Sequence, residues 1–128
     1  MKRIPALCFL LSLLLTPVAF AIASVASYVE LPDAPTIAVD WSKGNVQVVT
    51  LGGNRALTFS NGQRGGRYML ILKQDTTGSR TVTWPSSVRW PGEPPQASVL
   101  TTTANKTDYI NFFYNGVNYD VLALSQNH

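Results

Sequence analysis

One cysteine, Cys8, and one histidine, His128, are all that the 128 residues offer of the two most versatile reactive side chains. Cys8 lies in an apolar N-terminal stretch and His128 is the terminal residue, so neither has neighbours in sequence that build a nucleophile, a general base or a metal site. A disulfide framework is excluded outright. No run of like charge occurs, and the net charge of +3 owes two units to Lys2 and Arg3. Without that pair, eight basic face seven acidic residues, and this scatter gives no footprint for nucleic acid. The i, i+3, i+4 apolar period of an amphipathic helix is missing over any three turns. The glycine pairs Gly52-Gly53 and Gly65-Gly66 precede no helix, so they read as turns and not as phosphate cradles.

What the chain does have begins with an N-terminal targeting pattern. Met1, Lys2 and Arg3 form a positive leader, residues 4–20 are uncharged and leucine-rich, and Ala19 and Ala21 flank Phe20 as an A-x-A cleavage site. Cleavage there predicts a mature start at Ile22, or at Ser27 if Ser24 and Ala26 serve instead. The competing reading is an uncleaved anchor. Residues 4–26 suffice to cross a bilayer core of about 30 Å at about 1.5 Å per residue, and they would be the chain's only contact with a membrane. We divide the chain into a signal or anchor at 1–26, a linker or first edge strand at 27–35, and a β-domain at 36–128.

The β reading rests on period-two alternation and turn chemistry. Strands are predicted at residues 36–41, 46–51, 55–60, 68–73, 80–84, 106–114 and 119–123, with residues 98–103 a polar strand or extended arm. Gly78 and Asp75 suggest a reversal that makes residues 66–84 a hairpin, since glycine accepts positive φ and Asp75 can accept bonds from downstream amides. Asn115-Gly116 predicts a second hairpin through a type I′ turn. Pro91, Pro94 and Pro95 make a stiff loop. In residues 106–114 both faces carry aromatics: Ile110, Phe112 and Tyr114 on one, Tyr109 and Phe113 on the other. That strand is therefore central or covered on both sides. About eight such strands predict an all-β, antiparallel β-sandwich of jelly-roll type.

Residues 66–92, GRYMLILKQDTTGSRTVTWPSSVRWPG, resemble the signature of a β-sandwich module at the ends of phage tail fibres and other virion appendages. Upstream, DWSKGNVQVVTLGGNRALTFSNGQRGGRY is similar to the same family's GNV strand, GN turn and LTFSN strand, and downstream LTTTANKTDYINFFYNGVNYD is similar to its ending. The similarity spans residues 35–124. The departure, EPPQ at residues 93–96, falls in one loop. The resemblance implies a jelly-roll-like fold and the distal head of a fibre. It also implies a homotrimer that binds a cell-surface glycan or envelope receptor, without cofactor, metal or catalysis.

Paired carboxylates for glycoside hydrolysis could come from Asp75, Asp108 and Asp120, each of which has a plainer place at a turn or in an alternating strand. Rings with a polar edge stack on sugars, so the candidate receptor contacts are Arg89, Trp90, Tyr109 and Tyr119, with Gln63 and Arg64 in the glycine-rich loop 61–65 and a further loop at 92–96. Packing competes for the rings, since Trp84 shares a face with Val82 and Trp90 with Val88. Tyr109 and Phe113, apolar and facing away from the core side, are candidates for the subunit interface. The exported N-terminus leaves a second reading: a bacterial adhesin or carbohydrate-binding domain, placed in the periplasm, at the cell surface or secreted, where the first reading places the protein on a virion.

Overall fold

The computed structural model describes residues 26–92 and 99–128, so the predicted signal or anchor, apart from Ala26, and the EPPQ loop lie outside the described residues. The described residues form nine strands: β1 (Tyr28–Glu30), β2 (Thr36–Asp40), β3 (Val46–Leu51), β4 (Arg55–Ser60), β5 (Arg67–Gln74), β6 (Val82–Thr83), β7 (Val88–Arg89), β8 (Thr107–Tyr114) and β9 (Tyr119–Ser125). The only helical element among the described residues is a single 3-10 turn, Trp41–Lys43, started by the Asp40 carboxylate, which accepts a bond from the Ser42 amide.

From β1 to β7 successive strands alternate between two sheets, and β8 and β9 stay in the larger. One has six strands in the order β1-β3-β5-β8-β9-β7, the other three in the order β2-β4-β6. The chain thus winds as a short solenoid: β1, β3 and β5 stack in parallel on one side, and β2, β4 and β6 stack in parallel on the other. The β8–β9 hairpin adds antiparallel to β5 and ends the winding, and β7 lies parallel beside β9. The expected antiparallel sandwich is corrected here, because five of the seven strand pairings are parallel.

The expected hairpin at residues 66–84 is not formed, and β5 shows why. Both its edges are occupied, by β3 and by β8, so no ladder is left for β6, which pairs with β4 in the other sheet. The intervening corner is built by side chains. Gln74, 5% exposed, donates from Nε2 to the carbonyls of Arg80 (2.9 Å) and Thr101 (2.8 Å) and accepts from the Arg80 amide (2.9 Å). The Asp75 carboxylate accepts from the amides of Thr77 and Gly78 as anticipated, and it pairs with Arg80 at 2.9 Å. Gly78 has φ 72°, and a Cβ there would lie 2.7 Å from backbone atoms of Thr102 and Ala104. Residues 99–103 are the extended arm rather than a strand. Leu100 is buried, and the Thr101 amide donates to the buried Asp108 at 2.6 Å.

Inward faces of both sheets meet in one core. Val49, Leu51, Leu70, Leu72, Ile110 and Phe112 come from the large sheet, Ile37, Val39 and Leu57 from the small one. Register makes the alternation cooperative: Val49 stands beside Leu72 and Leu70 beside Ile110, so apolar rows run across the strands. The outward face of the large sheet carries two further rows, apolar in the middle strands with polar members among them. One is Glu30, Val48, Ile71, Tyr109, Ser125, and the other Tyr28, Val46, Met69, Asn111, Ala123. β8 is central, as its two aromatic faces suggested. The residues read as a linker or first edge, 27–35, include edge strand β1.

Candidate functional site

Parallel winding sorts the connections by end. Every link from the large to the small sheet (residues 31–35, 52–54, 75–81) lies at one end. The return links (41–45, 61–66, 84–87) gather at the other, together with the hairpin loop 115–118. This second end has an aromatic layer beneath it: Trp41 contacts Phe59 edge-on at 5.3 Å and Tyr68 at 4.8 Å, and Tyr114 stacks on Tyr119 at 4.3 Å.

Two phenols fix the loop 61–66 from below. The Gly62 amide donates to the Tyr119 hydroxyl at 3.1 Å and the Gln63 amide to the Tyr68 hydroxyl at 2.7 Å. Burial raises the Tyr119 phenol above its ordinary pKa, so it remains a neutral hydroxyl at physiological pH. The Gly65 amide donates to the Tyr114 carbonyl at 2.8 Å, and Asn61 reaches the Asp40 carboxylate at 2.9 Å. Gly62 admits no side chain, since a Cβ would collide with the Tyr119 ring and hydroxyl.

The neighbouring loop is not the two-residue type I′ turn predicted from Asn115-Gly116. Four residues connect Tyr114 to Tyr119, only Gly116 of the pair has positive φ (98°), and the Asn115 side chain accepts from the amides of Val117 (2.9 Å) and Asn118 (2.8 Å). An asparagine that satisfies the turn with its side chain removes the need for a left-handed backbone at its own position. The Arg64 stem lies over Gly116, 3.4 Å from where a Cβ would be, and so joins the two loops.

Of the predicted contacts, Gln63 and Arg64 are exposed on this tip. Arg89 is bound to Asp120 by two hydrogen bonds, of 2.6 and 2.9 Å, on the outward face beside it. Trp90 (8% exposed) and Tyr119 (4%) are core residues, which accounts for both rings by packing. Tyr109 and Phe113 are half-buried on the outward face of β8; Phe113 lies beside the tip, opposite Arg67, while Tyr109 lies away from it and meets the His128 ring edge-on at 5.4 Å. Of the loop 92–96, only Gly92 is described. Tyr68 was not singled out from sequence, although it holds the tip as firmly as Tyr119.

Charge at the tip is asymmetric. Its acids are committed: Asp120 to Arg89, and Asp40 to Ser42 and Asn61, whose hydrogen bonds hold the Asp40 carboxyl below its ordinary pKa. Arg64 and Arg67 have no ion-pair partner among the described residues. The acids weighed for hydrolysis are each engaged separately, Asp75 by Arg80, Asp120 by Arg89, and Asp108 by the amides of Thr101 and Asn127. Among the described residues, no three His, Cys, Asp or Glu side chains are grouped to hold a metal.

Fold and tip together define a small parallel-wound β domain that presents a stiff, basic loop surface. Residues 32–119 match the model of the family described as "Putative phage tail fibre C-terminal domain", and the chain belongs to that family. Its role is accordingly structural, in the tail fibre, and its place is with the virion. No curated protein matches the chain, and no solved structure does.

Proposed function

We propose that the domain is the non-catalytic attachment head of its fibre, assembled as a homotrimer and touching a cell-surface glycan or envelope receptor with the tip loops. The observation that carries this reading is the pinned loop 61–66, whose backbone is satisfied from within while Gln63 and Arg64 project outward. A binding surface ordered before its ligand arrives loses less entropy on binding. Subunits would meet through the outward face of the large sheet. Tyr28, Val46, Met69, Tyr109 and Phe113, exposed or half-buried around the covered Val48 and Ile71, give that face more apolar surface than a solvated side needs.

The test uses the full chain. Light scattering should return a trimer, and Phe113→Asp should yield monomer or aggregate while circular dichroism of the soluble fraction still reads β. Purified protein should also adsorb to envelopes of the infected host. A wild-type monomer at micromolar concentration that nevertheless binds glycan rejects the fibre-head reading. It would favour an exported adhesin or carbohydrate-binding domain, the alternative that the apolar residues 4–20 behind Lys2 and Arg3 support.

A further inference from the structure

Three features of the tip point to the chemistry of what it holds. Its unpaired formal charge is positive on balance: among the described residues Lys43, Arg64 and Arg67 form no salt bridge, against the single carboxylate of Asp40, which is hydrogen-bonded to the neutral Ser42 and Asn61, while Asp120 is paired with Arg89. Of the two exposed amide side chains in the fixed loop, Asn61 is bonded to Asp40, and Gln63 offers a donor and an acceptor, the pattern that pairs with vicinal hydroxyls. The side of the loop at Gly65 is open, since a Cβ there would meet nothing within 4 Å.

We infer that the tip takes an anionic saccharide, a sugar bearing a carboxylate or a phosphate, with the Arg64 guanidinium on the anion and the Gln63 amide on adjacent hydroxyls. This rests on the attachment reading above and names the class of receptor for it. A guanidinium presents two parallel N–H groups that match both oxygens of a carboxylate or phosphate. The Arg64 stem is laid along Gly116, which narrows the range of directions open to its fork. Arg67, just beyond the loop, adds to the attractive field without needing contact.

Other macromolecules fit less well. Single-stranded nucleic acid needs rings free to stack bases, but Tyr114 and Tyr119 are stacked on each other and Tyr119 is buried. A duplex binder that makes about six to ten phosphate contacts needs more cations than Lys43, Arg64 and Arg67 supply. A protein partner wants a large buried anchor, and the exposed apolar residue here is Val117, a small one.

The experiment is binding of the full chain to immobilised polygalacturonate, a phosphorylated mannan and neutral dextran. Wild type should bind at least one acidic polymer and ignore dextran; which polymer it prefers separates carboxylate from phosphate. Binding should weaken at least tenfold as salt rises from about 0.1 M to about 1 M, where screening shortens from about 10 to about 3 Å. Arg64→Ala should lose about tenfold with an unchanged melt, Arg64→Lys should lose less, and Lys106→Ala, at the opposite end, should lose nothing. Equal binding to dextran, no binding to either acidic polymer, or equal losses in Arg64→Ala and Lys106→Ala would each overturn the assignment. Adsorption to host envelopes separates the two levels. If wild type and Arg64→Ala adsorb alike, the anion site is wrong and attachment stands. If wild type does not adsorb, the attachment reading itself fails.

Discussion

Replacing Gln74 by leucine should destabilise the domain more than any exposed substitution on β5, although it puts an apolar residue of similar size into a buried position. The side chain is 5% exposed and makes three hydrogen bonds of 2.8 to 2.9 Å, two to the backbone of Arg80 and one to the Thr101 carbonyl. Leucine strands two carbonyls and one amide. A buried polar group left without a partner costs about 1–3 kcal/mol. These three are only part-buried, so water recovers some of the loss and about 3 kcal/mol in total is the expected effect. Against a total stability of about 5–15 kcal/mol that is a large share.

Urea unfolding followed by tryptophan fluorescence reads this directly. With a slope of about 1.5 kcal/mol per molar urea, about 3 kcal/mol moves the midpoint by about 2 M. Lys73→Met, one residue earlier and outward-facing, is the control and should stay within about 0.5 kcal/mol of wild type. Gln74→Glu should be as damaging as leucine, because it turns a carboxylate oxygen toward the carbonyls of Arg80 and Thr101. A midpoint for Gln74→Leu equal to that of Lys73→Met would refute the claim that side-chain bonds hold the corner between the sheets.

Trp90→Ala should cost about 3–5 kcal/mol in the same assay, and Trp84→Ala less, because Trp84 is only half-buried where it meets Trp90 edge-on at 5.4 Å; the reverse order would place Trp90 outside the core. Thermal melts against pH should fall on the acid side. Arg80 holds the Asp75 carboxyl below its ordinary pKa, and Arg55 does the same for Asp33. The stability these pairs give is present above the unfolded carboxylate pKa of about 4 and is lost as pH drops through the lower folded values; Asp75→Asn should flatten that loss. On the alkaline side, the raised Tyr119 phenol keeps its full contribution below about pH 10 and loses it as pH climbs toward the folded value. Tyr119→Phe should remove this alkaline decline while lowering stability at neutral pH by about 0.5–1.5 kcal/mol through the lost bond to Gly62. An unchanged alkaline limb would show that another group governs it.

Strand positions were plain in the sequence and strand partners were not. Val46–Leu51 and Arg55–Ser60 are bounded in the structure as alternation and glycine turns bounded them. Alternation, however, reports only that one face goes inward. An antiparallel sandwich and a two-sheet solenoid make the same demand on every strand, so periodicity cannot choose between them. Connection length held a hint, since links such as 31–35, 41–45 and 75–81 exceed what a tight hairpin needs. A second hint lay in the glutamines. Gln74 reads as the polar end of a strand, yet it and Gln47 occupy inward positions, where Gln47 donates to the carbonyls of Asp40 (2.7 Å) and Gly44 (2.9 Å). Both amides tie a corner that a hairpin would not have.

The tip was half legible for a related reason. Gln63 and Arg64 stood out because a glycine-rich loop must be at the surface, whereas Tyr119 and Trp90 stood out only as aromatics, and a ring's burial depends on partners the sequence does not name. What the winding adds is a division of labour along one loop. Tyr68 and Tyr119 bury their rings and spend their hydroxyls on the backbone of residues 62 and 63, so the loop's shape is set from the core. Arg64 is exposed and outside the core cluster, as is the Gln63 side chain, and exchanging them should leave stability nearly unchanged. Gly62 has no such freedom, because any Cβ meets the Tyr119 phenol. On the attachment reading proposed above, such a surface would change what it recognises through two side chains while the fold beneath them stays as it is.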